Sequence, residues 1–365
     1  MSDTKKRSSN FECLRIWAMI MIIFSHLMGQ TGAIENTLGL NQYFAIMSGS
    51  ASRIGVSLFV MIGSWFMINR EMKASRIFKV WSEVLFYTVI ITVCLNLFDF
   101  NVTKLQLISC FFPFLRRPLW FAGAWIALML LSPFLNEIFD WEKRKQARLI
   151  ITLTIVVAVV STTSKFMDTF LCNVFGFVYL YVLIGYYKIH LHSKDGFTKY
   201  KKQMFLVSWL IYLIFVTIKW YSLTVADSSV LFEYIYKIST QYLSDFKSLP
   251  NLFISCTTFY YFANLDLGSN KVINKMAEST FAVYIIHQTP AFINVLWNDI
   301  FKVSLWINSK YFILFSILTV VLIYGGGSLI DTLRIRLVER RWINSLIFIK
   351  LSEKLGQVLE MEQER

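Results

Sequence analysis

The chain has 365 residues, 56% hydrophobic, 17% aromatic and only 16% charged, with a formal net charge of +13. Soluble globular chains carry about 25% charge, so an ordinary soluble enzyme or a DNA-binding domain fits poorly, and only five Pro and 15 Gly exclude collagen and loop-rich scaffolds. An all-α polytopic membrane protein fits, and there the excess of Lys and Arg orients loops, so no nucleic-acid partner is expected.

The first residues, Met1 to Arg7, are polar and basic and lead straight into an apolar run. No small-residue cleavage site follows, so this start resembles a signal-anchor. Ten apolar segments follow the chain: 11–30, 51–69, 77–98, 119–139, 148–164, 171–189, 204–225, 250–265, 280–298 and 311–330. Each is close to the about 17–25 residues that a helix needs to cross the hydrocarbon layer. Helices are the expected form, because open strands leave backbone groups unpaired in lipid.

The first segment carries three ionisable groups, Glu12, Arg15 and His26. Charges inside a membrane cost about 2.5–3.5 kcal/mol each at the centre and so mark candidate sites. Arg15 and His26 share a helix face, with about 16 Å between them along the axis. A long molecule with an anionic head, such as a coenzyme A thioester, can span that pair. The plainer account has Arg15 snorkelling to the interface and His26 bonded to a neighbouring helix, and from this span alone it is the favoured one. After the second segment, Arg70, Lys73, Arg76 and Lys79 form a stripe at helical spacing. The stripe suits phosphate binding or a plain cytoplasmic loop equally well.

Residues 105–115 are apolar but too short to span, and are expected to be re-entrant or interfacial. Residues 226–249 form the longest polar loop, expected outside the cell. The ninth segment holds His287 and Pro290; the proline is expected to kink the helix and free a carbonyl, which suits a polar cavity or simply a buried histidine. Gly325, Gly326 and Gly327 suit close helix packing. Residues 331–356 alternate charged and apolar side chains, as in an amphipathic helix on the membrane surface. The expected division is a membrane domain at 1–330 and a cytoplasmic tail at 331–365.

Charge counting orients the map. With both termini in the cytoplasm, 25 of the 36 Lys and Arg fall in inside segments and ten in outside or outer-end ones, Arg53 among the latter. Cys13, Cys94, Cys110, Cys172 and Cys256 lie singly without CxxC spacing, so neither a metal nor a disulfide framework is expected. No GxxxxGK[ST], GxSxG or HExxH is present, which argues against an ATP-driven pump, a serine hydrolase of that class and a zincin.

Four stretches, in this order, resemble the acyltransferase 3 family of membrane acyltransferases. Asn10-Phe-Glu-Cys-Leu-Arg15, followed by ten residues and His26, is similar to its opening motif. Gly55-Val-Ser-Leu-Phe-Val-Met-Ile-Gly-Ser-Trp-Phe is similar to its second span. Pro118-Leu-Trp-Phe-Ala-Gly-Ala-Trp with Ser132-Pro133, and Ser279-Thr-Phe-Ala-Val-Tyr-Ile-Ile-His287, are similar to two later motifs. The resemblance implies transfer of an acyl group, acetyl foremost, from acyl-coenzyme A to a hydroxyl of a surface polysaccharide or its lipid-linked precursor, in a bacterial plasma membrane. It implies His26 as the catalytic residue and Arg15, Arg70 and Arg76 as donor-binding residues. The last two are six apart, where the family pattern spaces its arginine pair by three. Trp120, Tyr284 and His287 are the candidates for contact with the acceptor. Neutral imidazole, with an unperturbed pKa near 6.5, suits the task of taking a hydroxyl proton; a covalent acyl-histidine is the less favoured variant. The expected partners are acyl-coenzyme A, a glycan acceptor, membrane lipids and polysaccharide-biosynthesis proteins. A flippase for a lipid-linked glycan is the alternative, although no inverted repeat or paired broken helices support it. A scaffold in a polysaccharide-synthesis complex is a third reading.

Overall fold

The computed structural model describes residues 8–115, 117–160, 170–192, 196, 198–225 and 229–359. Of the charges counted above, Lys5, Lys6, Arg7, Arg116, Lys165, Lys194 and Arg365 lie outside the described residues. Among those described there is no β-strand, and seven helices are long and apolar enough to cross a membrane. They are α1 (Ser9–Gln30), α2 (Gly39–Met67), α3 (Ala74–Leu97), α4 (Trp120–Asp140), α6 (Leu171–Leu191), α7 (Thr198–Thr224) and α12 (Phe312–Ile343). Between and after them lie α5 (Lys143–Leu153), α8 (Val230–Ser244), α9 (Leu249–Ala263), α10 (Lys271–Glu278), α11 (Thr280–Gln288) and α13 (Leu346–Val358). The chain is an all-α polytopic membrane protein.

Three of the ten apolar segments take shorter forms. The segment at 148–164 falls on α5 and a helical continuation to Val160, and its residues 161–164 lie outside the described residues. The segment at 250–265 is α9, whose 15 residues rise about 22 Å, less than the about 30 Å of a hydrocarbon core. The segment at 280–298 stops at Gln288. Pro290 lacks an N–H, so the helix breaks there instead of merely bending; the Thr289 hydroxyl donates to the Ile285 carbonyl at 2.9 Å.

Other boundaries also move. The second span starts at Gly39, well before residue 51, and runs 29 residues. Its polar side chains are turned inward, where the Ser48 hydroxyl donates to Phe44 O and the Ser52 hydroxyl donates to Ser25. Residues 104–109 form a short helix closed by a capping box between Thr103 and Gln106. Of the expected loop at 226–249, Val230–Ser244 form α8, and residues 226–228 lie outside the described residues. The last long helix crosses residue 330 without a break and continues to Ile343; only then does Ser345 cap α13, whose buried Phe348 packs on Phe78 of α3 at 5.1 Å.

The helices α1 and α2 run antiparallel in close contact. A Cβ on Gly55 would sit 2.7 Å from the Ala18 carbonyl oxygen and 3.1 Å from Ile22 Cγ1, so only glycine permits this approach. At one end Phe11 meets Trp65 and Phe66, each at 5.5 Å. At the other the Ser25–Ser52 hydrogen bond closes at 2.9 Å.

The basic segments gather at the Phe11 end. The Ser9 amide donates to Gly268 O at 2.9 Å, and Lys188 Nζ to Trp65 O at 2.7 Å. His190 meets Gln146 of α5 at 3.1 Å, and Lys79 meets Glu339 at 2.7 Å. Arg70, Lys73, Arg76, Lys271 and the Arg334–Arg341 stretch therefore share one end of the bundle. α3 is clamped to α12 there by a buried ionic cluster. Arg334 reaches Asp331 at 2.8 Å, Glu339 at 2.7 Å and Glu83 at 3.3 Å, and the Tyr87 hydroxyl donates to Asp331 at 2.7 Å.

Candidate active site

Four helices enclose a cavity of about 120 Å³. Helix α1 contributes Met19, Ile22, Ser25 and His26; α2 contributes Ser52, Arg53, Val56 and Phe59; α4 contributes Trp120 and Phe121; α11 contributes Phe281 and Tyr284. Spacings of three, four and seven put the sets from α1, α2 and α11 each on one helix face, and the α4 pair is adjacent, at the start of its helix. The wall on α1 runs from His26 down to Met19, a rise of about 10 Å, and ends one turn short of Arg15.

His26 does not stand alone. Its Nδ1 lies 2.8 Å from Nε2 of His287, and His287 Nδ1 lies 2.5 Å from the Val283 carbonyl. A carbonyl only accepts, so His287 Nδ1 carries a proton. Nε2 of the neutral His287 ring is then an acceptor, and His26 Nδ1 donates to it. These tautomers are assigned from the hydrogen-bond network. They leave Nε2 of His26 as an unprotonated base, in the arrangement used wherever a second group fixes the tautomer of a catalytic histidine.

His26 is half-buried on the cavity wall, whereas His287 is wholly buried behind it. His287, expected at the acceptor site, lies behind His26, off the cavity wall and within hydrogen-bond distance of it. His287 sits in the last turn of α11 before the break at Pro290. A His287→Leu variant removes the acceptor for His26 Nδ1 and is expected to lower turnover about 10²-fold or more, because a wrong tautomer alone can cost about 10⁴. His287→Gln, whose amide oxygen can accept the same proton, is expected to retain more; equal activity of all three proteins in a turnover assay would remove the positioning role.

Trp120 and Tyr284 line the cavity. Trp120 stacks on Phe246 at 6.2 Å, and the Tyr284 hydroxyl donates to Pro118 O at 2.9 Å. Arg15 is not on the wall; its Nη1 is 2.8 Å from Glu12. Arg70 and Arg76 are exposed at the basic end. The structure thus joins His26, Trp120 and Tyr284 around the cavity, with His287 behind His26, and puts the three arginines toward the opposite end of α1.

The cavity wall also holds Arg53 and the hydrogen-bonded Ser25–Ser52 pair, which the sequence does not single out as site residues. Arg53 was counted with outer-end charges, yet it stands within a continuous apolar helix and shares a face with Val56. A charge inside that helix was the available signal.

A family model described as an acyltransferase domain matches residues 8–328. Comparison with curated proteins and with solved structures gives no match. The matched region takes in every residue on the cavity wall, and the opening motif, the second span and the motif ending in His287 converge there in three dimensions. The chain belongs to the acyltransferase 3 family and is a membrane acyltransferase.

Proposed function

We propose that this chain transfers a small acyl group, acetyl foremost, from acyl-coenzyme A to a hydroxyl of a cell-surface polysaccharide or its lipid-linked precursor, in a bacterial plasma membrane. The observation that carries the reading is the His26–His287 hydrogen bond, with His26 on the cavity wall and His287 behind it. The size of the cavity supports a short acyl group: about 120 Å³ is less than the about 150 Å³ of an apolar cavity that takes up benzene.

In this reading the basic end faces the cytoplasm, as the bias of positive charge favours. Arg15, with Arg70 and Arg76, attracts the phosphates of the donor at that end. The slender pantetheine arm follows the face of α1 past Met19 and Ile22, and the thioester arrives beside His26. Arg15 and His26 are eleven residues apart in the sequence, about 16 Å along the axis, which matches a long donor held at both ends. Nε2 of His26 takes the hydroxyl proton as the acceptor oxygen attacks the acyl carbon. Trp120 offers a flat face against which a sugar ring can stack. Lipids surround the bundle, and polysaccharide-biosynthesis proteins supply or receive the glycan.

Labelled acetyl-coenzyme A tests the reading. Purified protein in detergent is expected to bind it saturably and to pass the label to a glycan acceptor. Arg15→Ala is expected to raise the donor Kd about tenfold, since a charge-assisted contact contributes about 1.5–3 kcal/mol, and to leave acceptor affinity unchanged. Unaltered donor affinity removes Arg15 from the donor site. Failure to bind the donor at all, with transport of a lipid-linked glycan intact, would favour a flippase.

A further inference from the structure

A second hollow begins at the basic end of the bundle, apart from the candidate active site. It has a volume of about 500 Å³ and opens between α3, the last turns of α12 and α13. We infer that it binds an anionic phospholipid of the leaflet at that end, with an acyl chain along α3 and the phosphate among the arginines near the end of α12. The inference is independent of the acyl-transfer reading.

Along α3 the groove runs from Phe78 to Ile90, a rise of about 18 Å. One leaflet supplies half of a hydrocarbon core of about 30 Å, so the groove is as deep as one layer of lipid tails. Its polarity changes along that depth. The polar groups that α3 contributes, Lys79, Ser82 and Glu83, all lie toward the basic end, and below them the wall is Leu85, Phe86, Val89 and Ile90. The Thr88 hydroxyl donates to the Cys110 carbonyl at 2.9 Å, which brings the exposed Phe111 to the deep part. A charged head with an apolar tail matches this gradient. A peptide laid along the groove would leave backbone N–H and C=O groups unpaired against the apolar part, whereas an acyl chain needs no partner there.

The charges on the wall answer one another: Lys79 meets Glu339 at 2.7 Å, and Arg334 meets Glu83 at 3.3 Å. The positive surplus lies beside them. Residues 334–354 hold six Lys and Arg against two Glu. Arg336, Arg340 and Arg341 are exposed, and among the described residues no ion pair joins them to a carboxylate. They flank Val338 and Trp342, which line the groove. Basic clusters beside membrane-spanning helices attract anionic headgroups, and the guanidinium fork matches phosphate.

The test follows thermal unfolding of the purified full chain in detergent as dioleoyl phosphatidylglycerol, dioleoyl phosphatidylcholine or glycerol phosphate is added. Phosphatidylglycerol at a hundredfold excess over its Kd is expected to raise the Tm by about 5 °C, and the other two by much less. Ile90→Trp, which fills the deep part from an exposed position, is expected to lose most of that rise. Arg336→Gln, Arg340→Gln and Arg341→Gln combined are expected to weaken phosphatidylglycerol binding about 10²-fold, at about fivefold per charge, and to leave the response to phosphatidylcholine as it was. Native mass spectrometry, counting the phosphatidylglycerol retained by the wild type and the triple variant, decides the matter if Ile90→Trp does not fold; equal retention overturns the site. Equal rises with the two lipids, a full rise with glycerol phosphate alone, or a full rise in Ile90→Trp also overturns it. So does a dimer that Ile90→Trp dissolves while the wild type shows no lipid response, which would make the occupant a second copy of this chain.

Discussion

Acyl transfer is expected to fall by about 10²–10⁴-fold in a His26→Gln variant, the range of a positioned general base, while the protein still folds and binds donor. Glutamine is close to histidine in reach, and its amide N–H can still donate to His287 Nε2. The contact that holds α1 to α11 at 2.8 Å thus keeps a counterpart. What disappears is Nε2, the one basic nitrogen that the tautomer chain leaves free at the cavity. Radiolabel transfer to glycan, at matched membrane abundance, checks this. Turnover near the wild-type rate would end the base role and, with it, the mechanism. A stable labelled adduct on His26 in the wild type would point instead to the acyl-histidine route.

Loss of Arg334 is expected to be the most damaging change to stability. Its guanidinium answers Asp331, Glu339 and Glu83 at once, at 2.8, 2.7 and 3.3 Å. Asp331 is 1% exposed and Arg334 9%, so an unanswered carboxylate has little access to water. Removing one partner of such a cluster costs about 3–5 kcal/mol. For Arg334→Leu this corresponds to a Tm lower by about 6–10 °C, at roughly 2 °C per kcal/mol for a large domain. Combining it with Asp331→Asn is expected to recover part of the loss, because one stranded charge is then gone. Thermal unfolding in detergent reads both. An unchanged Tm for Arg334→Leu would mean that the cluster does not hold α3 to α12.

The contrast between Arg15 and Arg334 shows what sequence reading can and cannot resolve. Arg15 drew attention because it interrupts an apolar run, whereas Arg334 was one of several charges in a tail assigned to the membrane surface. In the fold, Arg334 is buried between helices because α12 does not end at residue 330 but continues to Ile343. Helix ends near the interface carry weak local signals. The second span illustrates the same point: it starts at Gly39 and not at residue 51, and the polar side chains of Gln42, Ser48 and Ser52 are buried and bonded within the protein. Hydropathy scores a side chain against lipid and is blind to a polar neighbour on another helix. Pro290 was legible as a disturbance, and whether it bends or breaks the helix depends on what receives the freed groups.

Composition and apolar run lengths by themselves determined that this chain is an all-helical membrane protein, and four ordered motifs determined its family. Both are matters of local chemistry, since a run of apolar residues meets lipid wherever it sits. Only the tertiary structure decided what surrounds His26. Its hydrogen-bond partner His287 is 261 residues away, and part of the cavity wall beside it comes from an adjacent antiparallel helix brought close by the absence of a side chain at Gly55. Which helix faces meet depends on packing between distant segments, and no local pattern encodes it.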